Sequence, residues 1–311
     1  MTTTTVASLP AVGDPPRVRA RTRHDSRSGW GLMAPFTVLY LLFLIGPALY
    51  GLLMSFFDGS SARTGLGPFA GVDNYAEALG SGDFWSSMGH TVFFTVLTTP
   101  PLVVIAMAMA VLVDRLRRGR WFFRLVFFAP YVVPVTCAAL VFGWLYTPET
   151  GLYSTWLAKI GITSPAWLAD PNWAMISVAM MTVWWTVGFN FVLYLAGLQD
   201  IPREVYEASA VDGASPWDQL RRITVPLLAR TTLLVTMLQI LASLKVFDQI
   251  YLLTAGGPNY STRPVIEYVY DVGFTDFRTG YGAATSMLYF VVVLAISAVW
   301  LAVSRRQSRR G

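Results

Sequence analysis

The side chains able to do chemistry are few in this 311-residue chain, and most cannot be gathered into a reactive centre. The single cysteine, Cys137, lies in an apolar run and reads as a small packed hydrophobe, with no partner for an intrachain disulfide. Two histidines, His24 and His90, beside one cysteine do not make a metal cluster, so no metal and no other cofactor is expected. The two lysines, Lys159 and Lys245, follow Ala158 and Leu244, so the chain has no G-x-x-x-x-G-K-[ST] phosphate loop. Lys245 and Asp248 are the only charges deep inside an apolar run. At a spacing of three on one helix they share a face and can pair. Ionisable groups at membrane depth face the bundle interior and mark pathways, so the two read either as path-lining groups or as an ion pair that locks helix packing. A carboxylate with a salt-bridge partner does not titrate readily near neutral pH, which argues against a proton relay.

Neutral groups offer a second chemistry. Aromatic faces suit the apolar side of a sugar ring, and amides and hydroxyls suit its hydroxyl groups. One apolar run carries Trp184, Trp185, Thr186 and Asn190, and a later one carries Gln239 and Ser243, four apart and on one helical face. The bland alternative is that the tryptophans only pack.

The third cluster is Gln199–Arg230, where Glu204, Glu207, Asp212 and Asp218 surround the small residues Ala208, Ser209, Ala210, Gly213 and Ala214. Asp200 can cap a helix with Pro202 in its first turn and Glu204 at its positive end. Gly213 suits a left-handed stop, and Ser215-Pro216-Trp217-Asp218 restarts a helix with a capping box. Helix, glycine turn and helix make either a rigid knob for docking a cytosolic partner or a self-contained amphipathic bracket at the membrane surface. DNA binding by such an element is excluded by its tethering at both ends to apolar runs.

Those elements must be held by a membrane bundle. Hydrophobic residues make up 54% of the chain and charged residues 13%, about half the charge of a soluble domain. Six runs approach the ~20 apolar residues a spanning helix needs: Leu32–Phe57, Thr91–Val113, Leu125–Tyr146, Ala174–Leu198, Thr231–Leu253 and Ala283–Val303. Pro100–Pro101 and Pro130/Pro134 should kink the second and third. The first is too long for a cleaved signal and reads as an anchor. Residues 1–29 form a basic disordered tail, 30–305 the membrane domain and 306–311 a second tail. Of the 23 basic residues, 18 fall in the two terminal segments and in the second-to-third and fourth-to-fifth connections. The positive-inside rule therefore puts both termini in the cytosol, and topology rather than nucleic acid explains the net charge of +5. In the outer connection Thr147–Trp173, the spacing of Leu152, Trp156 and Ile160 reads either as a short interfacial helix or as a packed surface loop, and Trp144, Tyr146, Trp167 and Trp173 fit an aromatic belt.

Glu207-Ala208-Ser209, three residues, Gly213, nine residues and Ile223-Thr224-Val225-Pro226 resemble the EAA motif of binding-protein-dependent ABC importer permeases. Both spacings hold, with Ser209 for the family's Ala and Val225 for its Leu. Val246–Pro258, with its Gly256-Gly257-Pro258 end, Gly197-Leu198-Gln199 and Gly280–Ala284 are similar to the carbohydrate, maltose-type branch. The resemblance implies an all-α bundle of six transmembrane helices with the type I ABC importer permease fold, in a bacterial inner membrane. It implies a second permease subunit, a cytosolic ATP-binding subunit and an extracytoplasmic solute-binding protein as partners, and a sugar as substrate. Glycerol-3-phosphate, a polyol or another small solute is the alternative. Glu207, Ala208, Ser209, Gly213, Ile223 and Pro226 would couple to the ATPase, within a coupling helix of about 201–213. Trp185, Asn190, Gln239, Ser243, Lys245 and Asp248 would line the substrate path. By offset from Glu207, Thr182, Ser243 and Val246 stand where the maltose permease carries asparagines, which points to a different sugar or a weaker site. A membrane-embedded enzyme would instead need metal-binding or acid–base groups at one membrane face, and the cytosolic acids gather only in the coupling element.

Overall fold

The structure, a computed structural model, describes residues 25–60, 65–116 and 118–308, with backbone alone for 25–31 and 303–308. Most of the expected tail, residues 1–24, and residues 309–311 lie outside the described residues. The chain divides into two units, Met1–Tyr50 and Gly51–Gly311. In the first lie helix α1 (Asp25–Tyr40), a π-turn, Leu41–Ile45, and the start of α2 (Gly46–Met54), so helix begins before residue 30.

The second unit continues with α3 (Asp73–Gly80), α4 (Gly82–Asp114), α5 (Arg120–Val132), α6 (Val135–Leu145), α7 (Leu152–Lys159) and α8 (Pro171–Gln199). It ends with α9 (Arg203–Val211), α10 (Pro216–Gln219), α11 (Val225–Leu227), α12 (Ala229–Leu244), α13 (Asp248–Leu253), α14 (Val265–Tyr270) and α15 (Thr279–Ser308). Among the described residues four helices are long and apolar enough to cross a membrane: Leu32–Met54, Gly82–Asp114, Pro171–Gln199 and Thr279–Ala302. Two bent pairs, α5 with α6 and Pro216–Leu227 with α12, bring the number to six if each pair is one span.

The bend between α5 and α6 is 93°. Pro134 has no N–H to donate and forces Val133 out of helical conformation, to φ −68° and ψ 131°. By contrast α4 passes Pro100–Pro101 with no break in the helix. Buried Leu102, Ala106 and Ala110 pack there against Phe191, Tyr194 and Leu195 of α8, and this packing outweighs the lost backbone donors. Gly188 makes the α5–α8 approach possible, since a Cβ there would lie 2.2 Å from the Phe127 carbonyl oxygen.

The run expected as Thr231–Leu253 is not one helix. It stops at Leu244, and Lys245–Phe247 is non-helical. Val246 is drawn into a core cluster with Phe94, Met175, Val178, Ala179 and Ile250, which leaves Phe247 at φ −149° and ψ −64°. Lys245 N–H and Val246 N–H turn back onto Ala242 and Ser243, and the Tyr289 hydroxyl donates to the free Leu244 carbonyl.

The short outer helix is present as α7, with Trp156 exposed. The four residues expected in an aromatic belt divide by exposure. Trp144 and Trp173 are exposed, but Tyr146 and Trp167 are buried in a cluster with Ala138, Phe142 and Met181.

Candidate functional site

The loop after α8 is built on local rules with one substitution of parts. Asp200 does not cap the next helix; it is the C-cap of α8, because Pro202 keeps Ile201 from continuing a helix. Pro202 itself is the N-cap of α9, with no side-chain cap bond. The helix expected over about 201–213 runs over Arg203–Val211, shorter at both ends. It ends in a Schellman turn: Gly213 N–H bonds Ala210 at 3.1 Å and Ala214 N–H bonds Ser209 at 2.9 Å, with Gly213 at φ +81°. The Ser215–Asp218 capping box is formed at α10.

Polar contacts fold the two helices onto each other. The Gln219 amide donates to Ser209 Oγ at 3.0 Å and to the Tyr206 carbonyl at 3.2 Å. The Tyr206 hydroxyl meets Thr224 Oγ1 at 3.0 Å. Arg115, just past the end of α4, donates to the Pro216 carbonyl at 3.1 Å. This leaves Glu207, Ala208, Gly213 and Pro226 exposed, next to the exposed apolar Val211 and Trp217. Ile223 is half-buried. A folded two-helix element with Glu207 and the apolar Val211 and Trp217 facing outward can dock a partner.

Between the long helices lies a cavity of about 210 Å³. Phe94 of α4, Tyr131 of α5, Thr182, Trp185, Thr186, Phe189 and Asn190 of α8, and Leu238, Gln239, Ala242 and Ser243 of α12 line it, with Val246 and Gln249. Four of the expected path residues, Trp185, Asn190, Gln239 and Ser243, therefore meet at one place. A hydrogen-bonded row orients them: Asn190 Nδ2 donates to Gln239 Oε1 at 3.2 Å, Gln239 Nε2 donates to Ser243 Oγ at 3.2 Å, and Ser243 Oγ meets Thr98 Oγ1 at 3.1 Å. Trp185 is fixed by its indole N–H, which donates to the Val133 carbonyl at 2.9 Å. Tyr131 stacks on Phe189 with ring centres 5.2 Å apart.

Lys245 and Asp248 do not line the cavity. Both are exposed, and no ion pair joins them among the described residues. The helix break at Lys245–Phe247 removes the one-face register that would have paired them. Trp184 also points elsewhere, against Phe142. Thr98, Tyr131, Phe189 and Gln249 were not singled out from sequence. Of these, Gln249 is the one that follows directly on an expected path residue, Asp248. Among the described residues no group of three His, Cys, Asp or Glu side chains could hold a metal.

Comparison with known proteins agrees with this geometry. Residues 64–309 match the family described as binding-protein-dependent transport system inner membrane component. The chain is 31% identical to a trehalose/maltose transport system permease of Thermococcus litoralis, over 90% of this chain and 95% of that one. It is 32% identical to an sn-glycerol-3-phosphate transport system permease of Agrobacterium fabrum, over 86% and 91%. Its fold is similar to a chain of a bacterial ABC transporter that imports alginate, with a TM-score of 0.78 at 24% identity, covering 91% and 97%.

Proposed function

The chain belongs to the binding-protein-dependent inner membrane transport component family, and from that premise we propose that it is the permease half of a sugar importer. The observation that carries the choice of solute is the lining of the cavity. Its polar groups are amides and hydroxyls, its walls are Trp185, Tyr131, Phe94 and Phe189, and no lining residue is ionised. A phosphate ester in a low-dielectric path needs a cation or a cluster of N–H donors. A neutral polyhydroxyl ring needs aromatic faces and amides. Of the two relatives, the trehalose/maltose permease therefore fits better than the glycerol-3-phosphate permease.

The Asn190–Gln239–Ser243 row also favours a second role, since it ties α8 to α12 whether or not solute is present. Both roles coexist if solute approaches from the side of Gln249 and the Tyr131 hydroxyl, which no hydrogen bond among the described residues engages. Lys245 and Asp248 would stand at the edge of the path and not within it.

In this reading Glu207, Ala208, Ser209, Gly213, Ile223 and Pro226 form the seat for a cytosolic ATP-binding subunit. Glu207 would meet a basic residue of that partner. A second permease subunit completes the path, an external binding protein delivers the sugar, and both termini face the cytosol, as the arginine distribution argues. The support for docking is the outward-facing, internally braced α9–α10 element.

The test is purification of the tagged chain from native membranes in mild detergent, with mass spectrometry of what accompanies it. Wild type should bring down a second permease and a P-loop ATPase, and Glu207→Lys should lose the ATPase alone. Solute-stimulated ATP hydrolysis by the reconstituted complex should respond to a neutral sugar. A chain that comes down alone, or stimulation by glycerol-3-phosphate in place of sugars, would overturn the corresponding part.

A further inference from the structure

The connection between α13 and α15 holds a buried charge cluster with an imbalance. Arg263 is 7% exposed, and its guanidinium lies between the rings of Tyr260 and Tyr268, at 4.0 and 5.1 Å. Its terminal nitrogens reach two carboxylates: Asp83 of α4 at 3.7 Å and Asp271 at 3.8 Å. A third acid, Glu267 of α14, is 2% exposed, and Arg263 forms no ion pair with it. Glu267 Oε2 and Arg263 Nε are both buried without a hydrogen-bond partner. Three carboxylates thus stand near one guanidinium that pairs with only two of them, and the most buried of the three has no counter-ion of its own. His90 of α4 is also present, and its Nδ1 meets the Arg263 carbonyl at 3.2 Å. Asp276 lies behind Asp271, and Tyr251 faces both Asp271 and Glu267.

Burying an unpaired carboxylate is far more costly than burying the neutral acid. We propose that Glu267 is a proton-binding site: its carboxyl stays protonated while the loop is closed around Arg263, and loss of that proton to solvent, past the exposed Asp83, releases the loop. The loop is suited to such release. Ala255, Gly256, Asn259 and Tyr260 all have positive φ, a conformation kept only where surrounding contacts enforce it. Gly256 packs on the cluster directly, with its Cβ position 3.1 Å from both Glu267 Oε1 and Arg263 Cβ. Burial first, then the charge of Asp271, raises the Glu267 carboxyl to about 7, against the opposing pull of Arg263. An acid raised above its ordinary 4.5 holds an extra proton in the folded state. Its contribution to stability is therefore full below about 4.5 and is lost as pH rises to about 7. Arginine distribution puts this loop on the outer face, where external pH would reach it.

The experiment uses the full chain in lipid bilayers and needs neither partner subunit nor solute, so its failure is separate from failure of the import reading. Infrared difference spectra should show a protonated-carboxyl band that titrates with a midpoint near 7 and is missing in Glu267→Gln. Asp271→Asn should move that midpoint down, because it removes the like charge. Hydrogen exchange of the 255–263 amides, corrected for intrinsic rate, should speed up several-fold across the same pH step in wild type and stay slow in Glu267→Gln. If the variant keeps the wild-type band, or its exchange shows the same pH step, Glu267 is not the site. A midpoint that Asp271→Asn leaves in place would also overturn the proposed cluster.

Discussion

The Gln219 side-chain amide lies 3.0 Å from the Ser209 hydroxyl, across the turn made by Gly213. The bond joins the departing residue of the EAA string to the second helix of the same loop. A hydrogen bond of this kind contributes about 1 kcal/mol. Ser209→Ala should have little effect, since Gln219 keeps its second acceptor, the Tyr206 carbonyl. Gln219→Ala removes both and should reduce solute-stimulated ATP hydrolysis several-fold, with unchanged expression. Measuring hydrolysis by the reconstituted complex for the two variants side by side checks the order.

Gly213 is required for its backbone angle and not for space, because nothing lies within 4 Å of a Cβ placed there. Gly213→Ala should cost about 1 kcal/mol from the left-handed conformation. Gly213→Asn, which tolerates that region better, should be milder. Gly213→Val should be worst. The readout is the ratio of ATPase to permease in the purified complex.

Gly188 is the opposite case. A methyl group there meets backbone, 2.2 Å from Phe127 O and 2.9 Å from Phe128 Cα. Gly188→Ala should push α5 from α8 at a cost of about 1–3 kcal/mol. Gly143→Ala, with nothing within 4 Å, should be harmless. Thermal unfolding in detergent separates them.

Glu77 and Arg278 form a two-pronged ion pair, 2.7 Å at each prong, that ties α3 to the start of α15. Hydrogen bonding from Arg278 holds the Glu77 carboxyl below its ordinary 4.5. A lowered acid stabilises the fold above its unfolded pKa, and that contribution is lost as pH falls below about 4.5. Both side chains are about half exposed, so the effect should be only about 0.2–1 kcal/mol. Unfolding curves between about pH 3 and pH 6 should converge for wild type and Glu77→Gln at the acid end and separate at the other.

Much of the architecture is legible in hydropathy and in a few punctuating residues. Pro134 marks the sharp α5–α6 bend, and Ser215 with Asp218 marks the start of α10 to the residue. The break at Lys245–Phe247 is not legible, because no proline or glycine marks it. It arises from Val246 entering a core made by α4 and α8, a tertiary demand that local pattern does not carry. That break is also why the spacing of Lys245 and Asp248 misleads. The capping role given to Asp200 fails for a related reason: a residue before Ile201-Pro202 can end one helix as well as begin another. In the cavity, Gln239 and Ser243 were readable as one face of one helix. Phe94 and Tyr131 were not, since their place depends on how α4 and α5 cross α8.

The Val133 carbonyl, which the bend between α5 and α6 takes out of the helical ladder, accepts the indole N–H of Trp185. One bond thus serves both as the brace of a helix elbow and as the mounting of a cavity wall. A solute that shifts the Trp185 ring must break this bond or carry the elbow with it. Occupancy of the cavity and the angle between α5 and α6 are therefore coupled through a single indole N–H, with the strength of one hydrogen bond, about 1 kcal/mol.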